Sequence, residues 1–239
     1  MGAAAGDGLE GLETVVHQSY MVLSGDFENA RDHAWALYAD GTALRTPRIA
    51  FIDIDKTLSR DKWPAGWFEW RRSGGRIEVR ASGGAGFAPL KGRVEPVRPA
   101  ATGLRLSGDY TFVRTFGSMM MGNAGSVRNT YSFTPDGRYT ISNSSFVGSG
   151  MTVGAGQTVV AAQCDEAGSR RQIATGNPVA PGGSTRGDGC GSANAGRYHV
   201  DGYAITLAAD DGTIRRVGFY PVGKTDIMID DTWYWRQGG

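Results

Sequence analysis

The C-terminal part of the chain contains Ala209-Asp210-Asp211-Gly212-Thr213 and ends with Trp233-Tyr234-Trp235-Arg236 before a short glycine-rich tail. The N-terminal part contains the same order of features, Tyr38-Ala39-Asp40-Gly41-Thr42 followed by Trp67-Phe68-Glu69-Trp70-Arg71. Each copy combines an Asp-Gly pair, which favours the tight turn of a β-hairpin, with an aromatic segment of strand-forming residues. The repeat therefore predicts a β-protein built from two related units.

Glycine content and charge narrow the fold and the function further. The 239 residues include 37 glycines, which suit turns between many short strands. Because no segment shows a convincing amphipathic helix, we predict an all-β, antiparallel fold of about a dozen strands. The formal net charge is +1, so the sequence lacks the basic signature of a nucleic-acid-binding protein.

A change in composition divides the chain into two parts. Residues 81–103 are rich in glycine, alanine and proline, which is typical of a boundary. We predict a smaller β-unit at 15–98 and a larger, more complete unit at 104–239. Within the smaller unit we expect a strand at 49–54, and within the larger unit a long loop at 165–195.

The cysteines and the absence of targeting segments bear on location. No segment has the roughly 18 apolar residues of a membrane helix, and no signal peptide is visible at the N-terminus. Cys164 and Cys190 lie in a Gly/Ser-rich stretch, and we interpret them as a disulfide in a periplasmic or secreted protein. Two free thiols are the alternative. No Cys or His lies at ligand spacing from either cysteine, so we predict no metal site.

The segment Asp53-Ile54-Asp55-Lys56-Thr57 follows an apolar run and resembles the first motif of haloacid-dehalogenase-type phosphatases. The resemblance implies that the first aspartate is a nucleophile and the second a general acid beside Mg²⁺. That chemistry requires a parallel βα unit, whereas the surrounding sequence predicts hairpins. We therefore interpret the segment as an ordinary half-exposed strand.

Large aromatic side chains alternate along several predicted strands of the larger unit. They are Tyr110, Phe112, Tyr131, Phe133, Trp233 and Trp235. Alternation places each pair on one face of its strand. The rings either fill the core of a sandwich or barrel, or line a cavity for an apolar ligand. We predict these six residues as ligand-binding residues.

Residues 104–239 resemble the lipocalin-like β-barrels of exported bacterial proteins. Gly108-Asp109-Tyr110 stands where lipocalins have Gly-x-Trp on the first strand, and Arg236 is similar to their last-strand arginine, which packs across that aromatic residue. Residues 15–98 look like a partial copy of the same unit. The resemblance implies a closed antiparallel barrel whose interior binds small lipophilic molecules, and some members of the family are enzymes.

Three functions stay open at this point. The first is non-covalent binding of a small apolar molecule or a peptide by an exported bacterial protein, without a cofactor. The second is an isomerase, cyclase or hydrolase with an isolated acid or base, such as His199, Asp53 or Asp55, inside the barrel. The third is a protein-interaction module that uses the loop 164–190. Ligand identity and oligomeric state do not follow from the sequence.

Overall fold

The computed structural model describes residues 6–45, 49–118, 124–149, 158–164, 170–175 and 194–238. Within these residues the chain forms seventeen β-strands in two sheets and one short α-helix. The all-β, antiparallel class predicted from the sequence is confirmed. The number of strands is larger than expected, because the predicted boundary 81–103 contains two short strands, Ala88–Pro89 and Arg93–Val97, and the predicted loop 165–195 contains a third.

The first sheet has seven strands and curls into a half-barrel. Its strands are β1 (Leu12–Ser24), β2 (Phe27–Tyr38), β3 (Thr42–Arg45), β4 (Trp67–Ser73), β5 (Arg76–Ala81), β6 (Ala88–Pro89) and β7 (Arg93–Val97). They lie side by side in the order β6-β5-β4-β3-β2-β1-β7. Ile77 on β5 and Val94 on β7 pack in one cluster with Trp35, so side chains from both ends of the sheet meet on its concave face.

The second sheet contains a closed barrel of eight strands. Its strands are β8 (Gly108–Phe116), β9 (Gly125–Phe133), β10 (Arg138–Ser149), β11 (Thr158–Cys164), β12 (Arg170–Thr175), β13 (Ala195–Asp201), β14 (Ala204–Ala209), β15 (Ile214–Val222), β16 (Asp226–Ile229) and β17 (Thr232–Arg236). Apart from the β11–β12 hairpin, each strand pairs with the next one along the chain, and β17 pairs back with β8. The hairpin β11–β12 extends from the end of β10 outside this closed ring.

Alternating side chains explain the inside and the outside of the barrel. On β13, Tyr198 and Val200 are buried in the barrel core, whereas Arg197 and His199 are exposed. This period of two residues is the pattern expected for a strand with one buried face.

The half-barrel packs against the outer face of the barrel strands β15 and β16. Tyr220 and Met228 on that outer face join Val15, Ala36 and Tyr38 of the first sheet in one buried cluster. The predicted units 15–98 and 104–239 therefore pack against each other through this buried cluster, and their division into two domains at these bounds stays a prediction.

Residues 51–62 correct the expected strand at 49–54. Phe51–Asp53 forms a 3₁₀ turn, Lys56–Lys62 forms the helix α1, and a second 3₁₀ turn follows at Pro64–Gly66. Phe51 and Ile54 are buried at a spacing of three residues, which suits a helical turn rather than a strand. Asp55 is the N-cap of α1, and its carboxylate accepts a hydrogen bond of 2.8 Å from the Leu58 N–H.

The two copies of the repeat share their turns but not their strand positions. Asp40 accepts a hydrogen bond from the Thr42 N–H, and Asp211 accepts one from the Thr213 N–H, at 2.9 and 2.8 Å. After the first turn, β3 pairs directly with the aromatic strand β4, whereas β16 lies between β15 and the aromatic strand β17 in the second copy. The repeat thus predicts the turns and fails for the aromatic strands.

The long loop expected at 165–195 contains a further strand. Residues 170–175 form β12, which pairs with β11 along its whole length. Residues 165–169 and 176–193 lie outside the described residues, and so does most of the predicted docking loop 164–190.

Candidate functional site

The barrel is least continuous where its last strand meets its first. β17 pairs with β8 only at Trp235↔Thr111 and Arg236↔Tyr110, whereas β8 continues to Phe116 alongside β9. The upper part of β8 therefore has no strand partner on this side among the described residues. We call this gap the β17–β8 seam.

The β1–β2 hairpin covers the seam from outside. The Asn29 side-chain oxygen accepts a hydrogen bond of 3.1 Å from the Thr115 N–H on β8. At the hairpin turn, the Asp26 N–H donates to the Gly117 carbonyl at 3.1 Å. Further down, the Asp231 carboxylate, in the β16–β17 turn, accepts from the Ala34 N–H of β2 at 3.3 Å. These contacts fix the hairpin over the gap.

A cleft of about 970 Å³ lies between the hairpin and the seam, and we call it the seam cleft. Its aromatic lining residues are Phe112, Tyr131, Trp233, Tyr234 and Trp235. Asn29, Asn129, Asn143 and Asn194 supply amide groups, and Arg31, Arg114 and Arg215 supply positive charge. The lining thus combines aromatic rings with many hydrogen-bonding groups, in a volume that suits a small organic molecule.

The floor of the cleft consists of aromatic side chains that pack on one another and fill the lower part of the barrel. Tyr131 stacks on Phe133 with ring centroids 5.7 Å apart, and Phe133 meets Tyr198 edge to face at 4.9 Å. Tyr234 lies edge to face against Tyr131 at 5.1 Å. Because these rings fill the lower part, the space for a ligand in the described part of the barrel lies at the upper end, beside the β17–β8 seam.

The six predicted ligand-binding aromatics fall into two groups. Phe112, Tyr131, Trp233 and Trp235 line the seam cleft, whereas Tyr110 and Phe133 are buried below it in the barrel core. Trp233 and Trp235 lie on the outer face of β17, away from the barrel core. They contribute to the cleft only because the hairpin closes over the seam. The ligand-binding role of the six residues stays a prediction.

Sequence reasoning missed Tyr234, which occupies the inner face of β17. Its hydroxyl is held in an environment of low polarity, where burial first and then the neighbouring Tyr131 raise its pKa. A hydrogen bond to Asn129 opposes this rise in the Tyr234 pKa. Tyr234 lies between Trp233 and Trp235, and this alternation indicates a strand. The alternation does not indicate which face of that strand points into the barrel.

The candidate acids and bases named from the sequence do not line the cleft. His199 is exposed on β13, and Asp53 forms an ion pair of 3.0 Å with Arg216. Asp55 caps α1 as described above. The structure instead places His33 in the lining, with its Nδ1 3.5 Å from the Asp231 carboxylate.

A second histidine lies buried beside the cleft. His17 Nε2 is 3.0 Å from the Asp32 carboxylate, and the two side chains are only 4% and 8% exposed. Its ring meets the edge of Trp233 at 5.5 Å. This pair joins the two strands of the hairpin, and the His17 ring contacts the barrel.

Arg236 and Gly108-Asp109-Tyr110 are the residues on which the lipocalin resemblance rests. A Cβ atom on Gly108 would lie 3.3 Å from the Arg236 Nε, and Arg236 is the strand partner of Tyr110. The resemblance itself stays a prediction. Comparison with protein-family models, curated proteins and solved structures finds no match to this chain.

Other expectations concern metal sites, membranes and the cysteines. In the described ranges, no group of three or more potential metal-ligating side chains comes together, and no helix has the length and apolar character needed to cross a membrane. Cys164 ends β11, and Cys190 lies outside the described residues. The disulfide, and the periplasmic or secreted location inferred from it, stay predictions.

Proposed function

We propose that the protein binds a small amphipathic molecule non-covalently in the seam cleft. One observation carries this proposal: a cleft of about 970 Å³ rests on Phe112, Tyr131 and Tyr234 and is bordered by amides and arginines. Aromatic rings provide the apolar contact area, and the polar border orients the ligand.

This proposal changes the expectation of a wholly apolar ligand inside the barrel. The lower barrel is occupied by packed rings such as Tyr131 and Phe133, so a ligand binds at the upper end and at the seam. Several polar side chains, among them Asn129 and Asn143, face the same space. A ligand without any polar group would leave them desolvated without hydrogen-bond partners, which costs binding free energy. An extended peptide is the less favoured occupant, because the cleft is bounded by the hairpin on one side.

The test uses the neutral fluorescent probe N-phenylnaphthylamine and two matched variants on one strand. Asn143→Trp places an indole inside the cleft, whereas Ser142→Trp places it on the opposite face of β10, where Ser142 is exposed. We expect the probe to bind the unmodified protein at one site. Asn143→Trp should weaken binding by about tenfold or more, equivalent to at least ~1.4 kcal/mol, and Ser142→Trp should leave binding unchanged. Absence of probe binding, or equal binding by the Asn143→Trp variant, would contradict the proposal.

Native mass spectrometry of the protein purified from its own host tests for a bound natural ligand. An added mass that disappears on denaturation and in the Asn143→Trp variant would identify the ligand.

A further inference from the structure

The four aspartates that line the seam cleft are engaged within the protein. Asp226 accepts hydrogen bonds from the Trp233 indole N–H and the Arg236 N–H at 3.0 and 3.2 Å. Asp230 pairs with Arg215. Asp32 and Asp231 are held by the histidine and backbone contacts described above. Each of these four carboxylates therefore has a fixed hydrogen-bond or ion-pair partner within the protein before any ligand arrives.

Two arginines of the same lining are not engaged. Arg31 on β2 and Arg114 on β8 border the cleft from its two sides. Across the part of the chain that the structure describes, neither guanidinium has a hydrogen bond, an ion pair or an aromatic ring as partner. Glu28 is the remaining carboxylate of the lining. It lies on the opposite face of β2 from Arg31, because the two are an odd number of residues apart.

Both arginines lie close in sequence to the contact that docks the hairpin. Asn29 and Arg31 share one face of β2, and the Asn29 side chain bonds to Thr115, the residue after Arg114. An anion bound between two guanidinium groups that border the same cleft is attracted by both positive charges. The arrangement therefore favours a negative group at this position.

We infer that the ligand of the seam cleft is an anionic amphiphile whose acidic group is bound by Arg31 and Arg114. This inference rests on the proposed function. Guanidinium groups bind carboxylate, sulfonate or phosphate oxygens with paired, charge-assisted hydrogen bonds. Phe112 lies two residues before Arg114 on the same face of β8, so their Cα atoms are about 7 Å apart. The ligand thus carries its charge close to a ring or a short apolar segment.

The test compares two probes that share one ring system. Anilinonaphthalene sulfonate carries a sulfonate that N-phenylnaphthylamine lacks, so the difference in their dissociation constants measures the contribution of the anionic group. We expect the sulfonate probe to bind about tenfold more tightly at low salt. Added salt should reduce that advantage, because the arginines are exposed and therefore screened.

Matched variants assign the effect to the two arginines. Arg31→Gln combined with Arg114→Gln should remove the tenfold advantage of the sulfonate probe and leave the binding of the neutral probe within about twofold. Arg128→Gln is the control, because Arg128 is exposed on β9 and does not line the cleft. If the neutral probe binds and the sulfonate probe gains no advantage, or if the double variant retains it, the anionic site is wrong and the proposed function stands. If neither probe binds, both are overturned.

Discussion

At the scale of single residues, the His17–Asp32 pair joins the two strands of the hairpin and fixes the His17 ring beside Trp233 of the barrel. Both side chains are almost fully buried, so neither has water as an alternative partner. We predict that Asp32→Ala lowers the free energy of unfolding by about 1–3 kcal/mol, because it leaves the imidazole without its hydrogen-bond partner. Urea unfolding followed by tryptophan fluorescence measures this loss.

A double-mutant cycle separates the pair from general packing. His17→Phe keeps a ring against Trp233 and Tyr220, which lie 5.5 and 6.0 Å away, and removes the polar atoms. In that background Asp32→Ala should cost at least about 1 kcal/mol less than in the unmodified protein. An equal cost in both backgrounds would show that the lost stability does not come from the pair.

At the scale of elements, the β1–β2 hairpin is held by a backbone contact that only glycine permits. Gly25 has a φ of +67°, and a Cβ atom there would lie 1.8 Å from the Gly117 carbonyl oxygen. We predict that Gly25→Ala detaches the turn from β8 and increases amide hydrogen exchange over residues 20–34 and 112–118. Hydrogen-exchange mass spectrometry gives the protection of each segment without any ligand.

The β4–β5 turn provides the control for backbone strain. Gly75 has a φ of +76°, but a Cβ atom there meets no atom within 4 Å. Gly75→Ala therefore introduces the same unfavourable backbone conformation without a clash. If it increases exchange over residues 20–34 as much as Gly25→Ala does, the close approach to Gly117 does not hold the hairpin.

Features that depend on a few adjacent residues are predictable from the sequence, whereas features that depend on packing are not. The Asp-Gly turns at 40–41 and 211–212 were predictable, because their conformation depends on a few adjacent residues. The helix α1 was missed, because its seven residues carry no buried face and depend on the Asp55 cap and the burial of Phe51 and Ile54 beside it. The inward face of β17 was also missed, since alternation marks two faces and only packing selects one.

At the scale of the whole molecule, the candidate site exists because two sheets meet. The closed barrel and the half-barrel share the cluster that contains Tyr38 and Tyr220, and the seam cleft needs Arg31 from one sheet and Arg114 from the other. Residues so distant in the chain come together only through tertiary packing. The barrel class and part of the aromatic lining were therefore accessible from the sequence, whereas the position of the site was not.

Because tyrosines are buried in both sheets, the stability of the whole molecule varies with pH in the alkaline range. Burial raises the pKa of Tyr38, Tyr110, Tyr131, Tyr139, Tyr203, Tyr220 and Tyr234 above the usual value. The unfolded chain loses these protons near pH ~10, whereas the folded chain retains them to higher pH. Stability from these groups is therefore complete below pH ~10 and is lost as the pH rises further.

We predict that the free energy of unfolding falls progressively as the pH rises above about 10, as measured by urea unfolding at constant ionic strength. Tyr220→Phe should make this fall shallower, because Tyr220 is buried and Asp231 and Asp32 add to the rise in its pKa. Ultraviolet titration of the folded protein should show fewer ionised tyrosines than the denatured chain at the same pH. A folded protein whose tyrosines all ionise near pH ~10 would contradict the packed aromatic floor on which the seam cleft rests.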